Sequence, residues 1–94
     1  MTEVDIWIKV FDKLHFKFIE EYCSQSKINF LVYRNDYRGD GNYTGDYRLY
    51  FNRETDEVLS LFINNSTENQ TTKQLFVEEN KSLFREVKLL SIMN

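Results

Sequence analysis

The sequence predicts an α+β fold in the order helix, three strands, helix (αβββα), with a three-stranded antiparallel meander and both helices on one face of the sheet. Three observations carry that expectation. An apolar stripe at helical spacing opens the chain. Three runs rich in β-branched and aromatic residues fill its middle, separated by polar connectors. A second helical stripe closes it. With 94 residues and no linker-like tract, residues 1–94 read as a single α+β domain.

The first helix is expected over Glu3 to Ser24. Trp7, Phe11, Leu14, Phe18 and Tyr22 alternate at spacings of four and three, and Val4, Ile8 and Ile19 widen the stripe. Asp5, Lys9, Asp12, Lys13, Lys17 and Glu20 fall on the other side. Thr2 followed by Asp5 resembles a capping box. A competing strand at Val4 to Val10 has alternating β-branched residues, but the helical pattern covers the longer window.

Strands are expected at Lys27 to Arg34, Asp46 to Asn52 and Glu57 to Asn64. The polar turn Arg53-Glu54-Thr55-Asp56 joins the last two as a hairpin. Ser66 to Thr72 reads as a surface loop, and a second helix is expected from about Lys73 to Ile92. There Leu75, Phe76, Leu83, Val87, Leu90 and Met93 share a face, and Thr71 to Gln74 fits a capping box. Glu78-Glu79-Asn80 is a weak point where a new helix can restart.

Both faces of the expected sheet carry apolar residues. With Ile28, Phe30, Val32, Tyr47, Leu49, Phe51, Leu59, Leu61 and Ile63 facing the helices, Leu31, Tyr33, Tyr50, Val58 and Phe62 lie on the other side. A patch of that kind marks a partner surface, including a homodimer contact through Leu31, Tyr33, Tyr50 and Phe62, unless another part of the chain covers it.

Composition narrows the function classes. The chain has eight Phe, six Tyr and one Trp but no Ala and no Pro, so large rings must fill the core. A net charge of -3 argues against a basic nucleic-acid binder. Cys23 is the single cysteine, which excludes an internal disulfide and favours a reducing cytoplasm. The N-terminus lacks signal-peptide character, and no apolar run is long enough to cross a membrane. Abundant Asn, Lys, Ile, Phe and Tyr associate the chain with AT-rich bacterial accessory or phage genes.

The unusual segment is Tyr33 to Arg48. It holds all three glycines and three Tyr-Arg pairs, at Tyr33-Arg34, Tyr37-Arg38 and Tyr47-Arg48. Asp40-x-Asn42-x-Thr44-Gly45 resembles the start of a calcium loop, but Phe51 stands where the bidentate Glu is needed. Gly39-x-Gly41-x-x-x-Gly45 misses the dinucleotide spacing and leads into a strand. Arg34, Arg38 and Arg48 are matched by Asp36, Asp40 and Asp46, so no surplus charge tracks phosphates. Tyr, Arg, Asn and Gly are also the residues that binding loops use: rigid rings, forked donors and tight turns. The plainer alternative is an ordinary long hairpin with Asp-Gly turn chemistry.

Catalytic groups are sparse. His15 is the only histidine and reads as a partly buried residue on the edge of the first stripe. Cys23 is too far along a helix to pair with it and reads as an inert thiol. Glu20-Glu21 and Glu78-Glu79 read as solvated helix faces. No catalytic residue, metal or cofactor is expected, and the chain is expected not to be an enzyme. The leading expectation is a small cytoplasmic protein-binding inhibitor, such as an immunity protein that neutralises a basic toxin or nuclease, or a phage anti-defence protein. Its expected partner-binding residues are Tyr37, Arg38, Asp40, Tyr43, Tyr47 and Arg48. The alternative is a nucleic-acid-binding regulator using the same tyrosines and arginines; no membrane partner is expected.

Overall fold

The first helix is shorter than its apolar stripe predicts. In the computed structural model, which describes residues 1–24, 26–35, 45–63 and 70–93, helix α1 spans Glu3–Lys13. Strand β1 (Lys17–Cys23) follows, then β2 (Ile28–Asn35), β3 (Gly45–Asn52) and β4 (Val58–Ile63), and helices α2 (Gln70–Glu79) and α3 (Lys81–Met93). The fold is α+β as expected, but among the described residues its sheet has four antiparallel strands, not three, in the order β1-β2-β3-β4.

The start of α1 matches the sequence reading. Thr2 caps it: the Asp5 amide donates to Thr2 Oγ1 at 3.3 Å and the Thr2 amide to Asp5 Oδ2 at 3.1 Å. Those bonds hold the Asp5 carboxyl below the usual carboxylate range, the Thr2 backbone bond foremost.

Its end corrects the reading. His15 adopts φ 63°, the left-handed region. The His15 amide donates to the Asp12 carbonyl at 3.0 Å and the Phe16 amide to the Phe11 carbonyl at 3.0 Å. That pair of bonds is a Schellman stop. The ring of Phe16 stacks on Phe11 at 5.4 Å, the hydrophobic contact that accompanies the motif. The chain then turns out as β1, so Phe18 and Tyr22 are strand residues that continue the helical spacing by coincidence.

The strands β2, β3 and β4 fall within a residue or so of their expected bounds. Asn52 shapes the β3–β4 turn, its Oδ1 accepting from the amides of Glu54 (2.8 Å) and Thr55 (3.2 Å). The second expected helix is two: α2 begins at Gln70, so Thr71 lies inside its first turn, and the break falls at Asn80. Asn80 does not accept as a cap there; its Nδ2 donates back to the Phe76 carbonyl at 2.9 Å.

All three helices contribute to one core on one face of the sheet. Val4, Trp7, Val10 and Phe11 of α1, Phe76 of α2, and Phe84 and Val87 of α3 meet Leu31, Tyr33, Tyr47, Leu49, Phe51, Val58 and Leu61. Rings fill the space: Trp7 lies 5.4 Å from Phe76 and 4.8 Å from Phe84, and Phe11 lies 4.6 Å from Tyr33. Each fully buried ring contributes roughly 1.5–3 kcal/mol by transfer from water.

The face assignment of β2 is the second correction. Leu31 pairs with Leu49, and Tyr33 with Tyr47, so Leu31 and Tyr33 point at the helices. Phe30, paired with Tyr50, points away. A register irregularity between Tyr50 and Phe51 places Val58 opposite Phe51 and turns it into the core. Leu31, Tyr33, Tyr50 and Phe62 therefore do not share a face.

Candidate interaction surface

Of the six expected binding residues, Tyr37, Arg38, Asp40 and Tyr43 lie outside the described residues. Tyr47 and Arg48 are neighbours on β3 and therefore face opposite sides of the sheet. Tyr47 is in the core, 5% exposed, with its ring 4.8 Å from Phe16 and 6.0 Å from Phe76. Arg48 is half-buried on the side of the sheet away from the described helices, its guanidinium 5.7 Å from the centroid of Phe62. Arg34 reaches across to Asp46 at 3.1 Å on that same side.

That side carries an aromatic row. Tyr22 of β1 lies 4.8 Å from Phe30 of β2, which lies 4.7 Å from Tyr50 of β3, which lies 5.2 Å from Phe62 of β4. The register builds it: Tyr22 pairs with Phe30 and Phe30 with Tyr50, while Phe62 sits one diagonal step on, opposite Arg48. Phe30, Tyr50 and Phe62 are half-buried and Tyr22 is exposed. No described helix contributes a residue to the row.

The ring geometry constrains what the face can bind. The first two contacts have interplanar angles of 19° at 4.8 and 4.7 Å, the spacing of neighbouring strands. Rings stacked at that spacing stand upright on the sheet, each filling its neighbour's face. Phe30, stacked on both sides, presents its edge to an incoming molecule, and Tyr22 keeps one ring face toward the outer edge of β1.

Charges of both signs surround the row. Lys17 and Arg34 pair across β1 and β2, and Glu20 pairs with Val32. The Tyr22 hydroxyl donates to Glu20 Oε2, and that bond pushes the phenol above its ordinary value. On the other face Tyr33 is raised too, first by burial and then by the charge of Asp12.

Residues weighed as catalytic are dispersed. His15 sits in the helix-ending turn, not on a helix stripe. Cys23 is exposed on β1, where a buried or semi-buried inert thiol on a helix was expected. Glu20 and Glu21 are strand neighbours with different partners: Glu20 takes the Tyr22 hydroxyl, and Glu21 Oε2 accepts from Asn29 Nδ2 at 2.9 Å. Among the described residues no group of three or more His, Cys, Asp or Glu side chains is placed to hold a metal ion. Among them, too, no helix is long and apolar enough to cross a membrane.

Sequence reasoning missed Tyr22 and Phe30 as surface residues. The alternation Phe16-Lys17-Phe18 and the β-forming residues of Lys17 to Cys23 were the available signal for β1. Comparison with protein-family models, curated proteins and solved structures returned no match.

Proposed function

We propose that this chain is a protein-binding module and that the sheet face away from the described helices is its recognition surface. The observation that carries the reading is the part-exposed row Tyr22, Phe30, Tyr50 and Phe62, with no described helix across it, beside Arg48 and the Arg34–Asp46 pair. Aromatic anchors with an arginine beside them are the usual energetic centre of a protein interface. Upright rings favour a protein over single-stranded nucleic acid, because bases stack on exposed ring faces.

The proposed form of this binding is inhibition: neutralising a toxin in the cytoplasm as an immunity protein does, or blocking a defence factor. The net charge of -3 and the Glu20 carboxylate beside Tyr22 at one end of the row favour a basic partner. Tyr37, Arg38, Asp40 and Tyr43 stay in the proposal on sequence grounds, as part of the segment that joins β2 to β3.

Two variants test it against a partner purified from the source organism. Replacing Tyr50 and Phe62 by Ala is expected to weaken binding by about 2 kcal/mol or more, roughly 30-fold, as loss of central aromatic anchors does. Replacing Tyr37, Arg38 and Tyr43 by Ala reports on the loop separately. Unchanged affinity of the Tyr50/Phe62 variant, with the fold intact by circular dichroism, removes the open face from the interface. Binding to single-stranded RNA that falls steeply with salt would move the protein to the nucleic-acid reading.

A further inference from the structure

The two edges of the sheet are finished differently. At β4 side chains of α1 and α2 take up both backbone groups of the first residue, Val58. The Val58 amide donates to Glu3 Oε1 at 3.2 Å, Lys73 Nζ donates to the Val58 carbonyl at 3.0 Å, and Glu3 and Lys73 pair at 3.9 Å. At β1 all seven residues are exposed. Its guards are a register irregularity between Phe18 and Glu20 and the charges of Lys17, Glu20 and Glu21. Beyond the irregularity the strand is regular from Glu20 to Cys23, and the next residue, Ser24, bonds the Ile28 carbonyl through its amide at 2.9 Å.

That bond fixes which backbone groups are outward. In an antiparallel ladder, hydrogen-bonded and non-hydrogen-bonded pairs alternate. Ser24, Tyr22 and Glu20 therefore turn their amides and carbonyls toward β2, and Glu21 and Cys23 turn theirs toward the free edge. The same edge ends the aromatic row. Tyr22 is 42% exposed, with Phe30 stacked on one side of its ring and the free edge on the other.

We propose that β1 pairs antiparallel with β1 of a second copy, about a two-fold axis through Tyr22. Three two-fold registers join the outward residues. With Glu21 on the axis, two carboxylates face each other directly, which is destabilising. With Cys23 on the axis, Tyr22 faces Ser24 and the aromatic row is interrupted. With Tyr22 on the axis, Glu21 of each copy faces Cys23 of the other and Glu20 faces Ser24. The two Tyr22 residues then form a non-hydrogen-bonded pair, where side chains approach most closely. The row continues from one copy into the other, and both open faces lie on the same side of one doubled sheet. Glu20 to Ser24 lies at the β1–β2 turn, the far end of β2 from Asn35.

Sedimentation equilibrium on the full chain tests this. The expected result is a mass that rises with concentration from 11.4 kDa toward twice that value. A Tyr22→Cys variant in a Cys23→Ser background is expected to form an interchain disulfide on mild oxidation, since Cα atoms about 4.5 Å apart at such a pair lie within disulfide reach. Tyr22→Lys, which sets two cations on the axis, is expected to yield a monomer with unchanged far-UV circular dichroism. A strict monomer at every concentration reached would overturn the proposal. So would a dimer that does not cross-link at position 22 and survives Tyr22→Lys. Because the readout is mass, its failure is separable from failure of partner binding at Tyr50 and Phe62.

Discussion

A single residue ends α1. His15 carries φ 63°, where an L-residue other than glycine costs roughly 1–2 kcal/mol, and the Schellman bonds of His15 and Phe16 hold it there. Glycine removes that cost and gives back part of it as unfolded-chain entropy. His15→Gly is therefore expected to raise stability by about 0.5–1 kcal/mol in urea denaturation. Equal or lower stability would show that the His15 side chain contributes something glycine cannot replace. The same residue explains why β1 was illegible in the sequence. A glycine at position 15 would have announced a helix stop; a histidine did not, and Phe18 and Tyr22 happened to continue the four-and-three spacing of Trp7, Phe11 and Leu14.

At the scale of elements, the strands with turn chemistry around them were legible and the faces they present were not. The polar run Arg53 to Asp56 marked the β3–β4 hairpin, and Thr2 with Asp5 marked the start of α1. Strand β2 has apolar residues on both sides, so period-two alternation does not choose between Leu31 and Tyr33 or Phe30 and Val32 for the core. Tertiary contacts choose: Tyr33 meets Phe11, and Phe30 meets Tyr22 and Tyr50. That choice removed two residues from the expected sheet-face patch and supplied the aromatic row in their place.

Strand β1 pairs with β2 alone in the sheet, and one of its ties is polar. Asn29, only 7% exposed, donates to Glu21 at 2.9 Å and accepts from Arg53 Nη1 at 3.1 Å. The Arg53 amide also donates to the Lys27 carbonyl at 3.0 Å, so the β3–β4 turn is tied to the β1–β2 turn. Asn29→Leu breaks both side-chain bonds and is expected to cost about 1–3 kcal/mol. The effect should concentrate in β1, where amide exchange at Tyr22 and Ser24 is expected to quicken more than in β3. Uniform acceleration across the sheet would mean that Asn29 supports the core and not β1 in particular.

The whole molecule divides its aromatic residues between two jobs. On one face, Trp7, Phe11, Tyr33, Tyr47, Phe76 and Phe84 fill a core that lacks alanine, each ring spanning space that smaller side chains would leave empty. On the other, Tyr22, Phe30, Tyr50 and Phe62 stand together with no described helix across them. Stacking against one another reduces their cost in water while their edges stay part-exposed beside Arg48, whose guanidinium lies over Phe62. Tyr47 and Arg48, adjacent in sequence, mark the division: one serves the core and the other the open face.

The proposed function requires a partner to sit on that face. Cross-saturation from an unlabelled, protonated partner into the deuterated chain, its aromatic rings left protonated, tests it directly. The expected result is loss of ring signal at Tyr50 and Phe62, extending to Phe30 and Tyr22, with the core rings of Trp7 and Phe84 unaffected. Saturation confined to the outer surfaces of α2 and α3, with the four-ring row untouched, would contradict it.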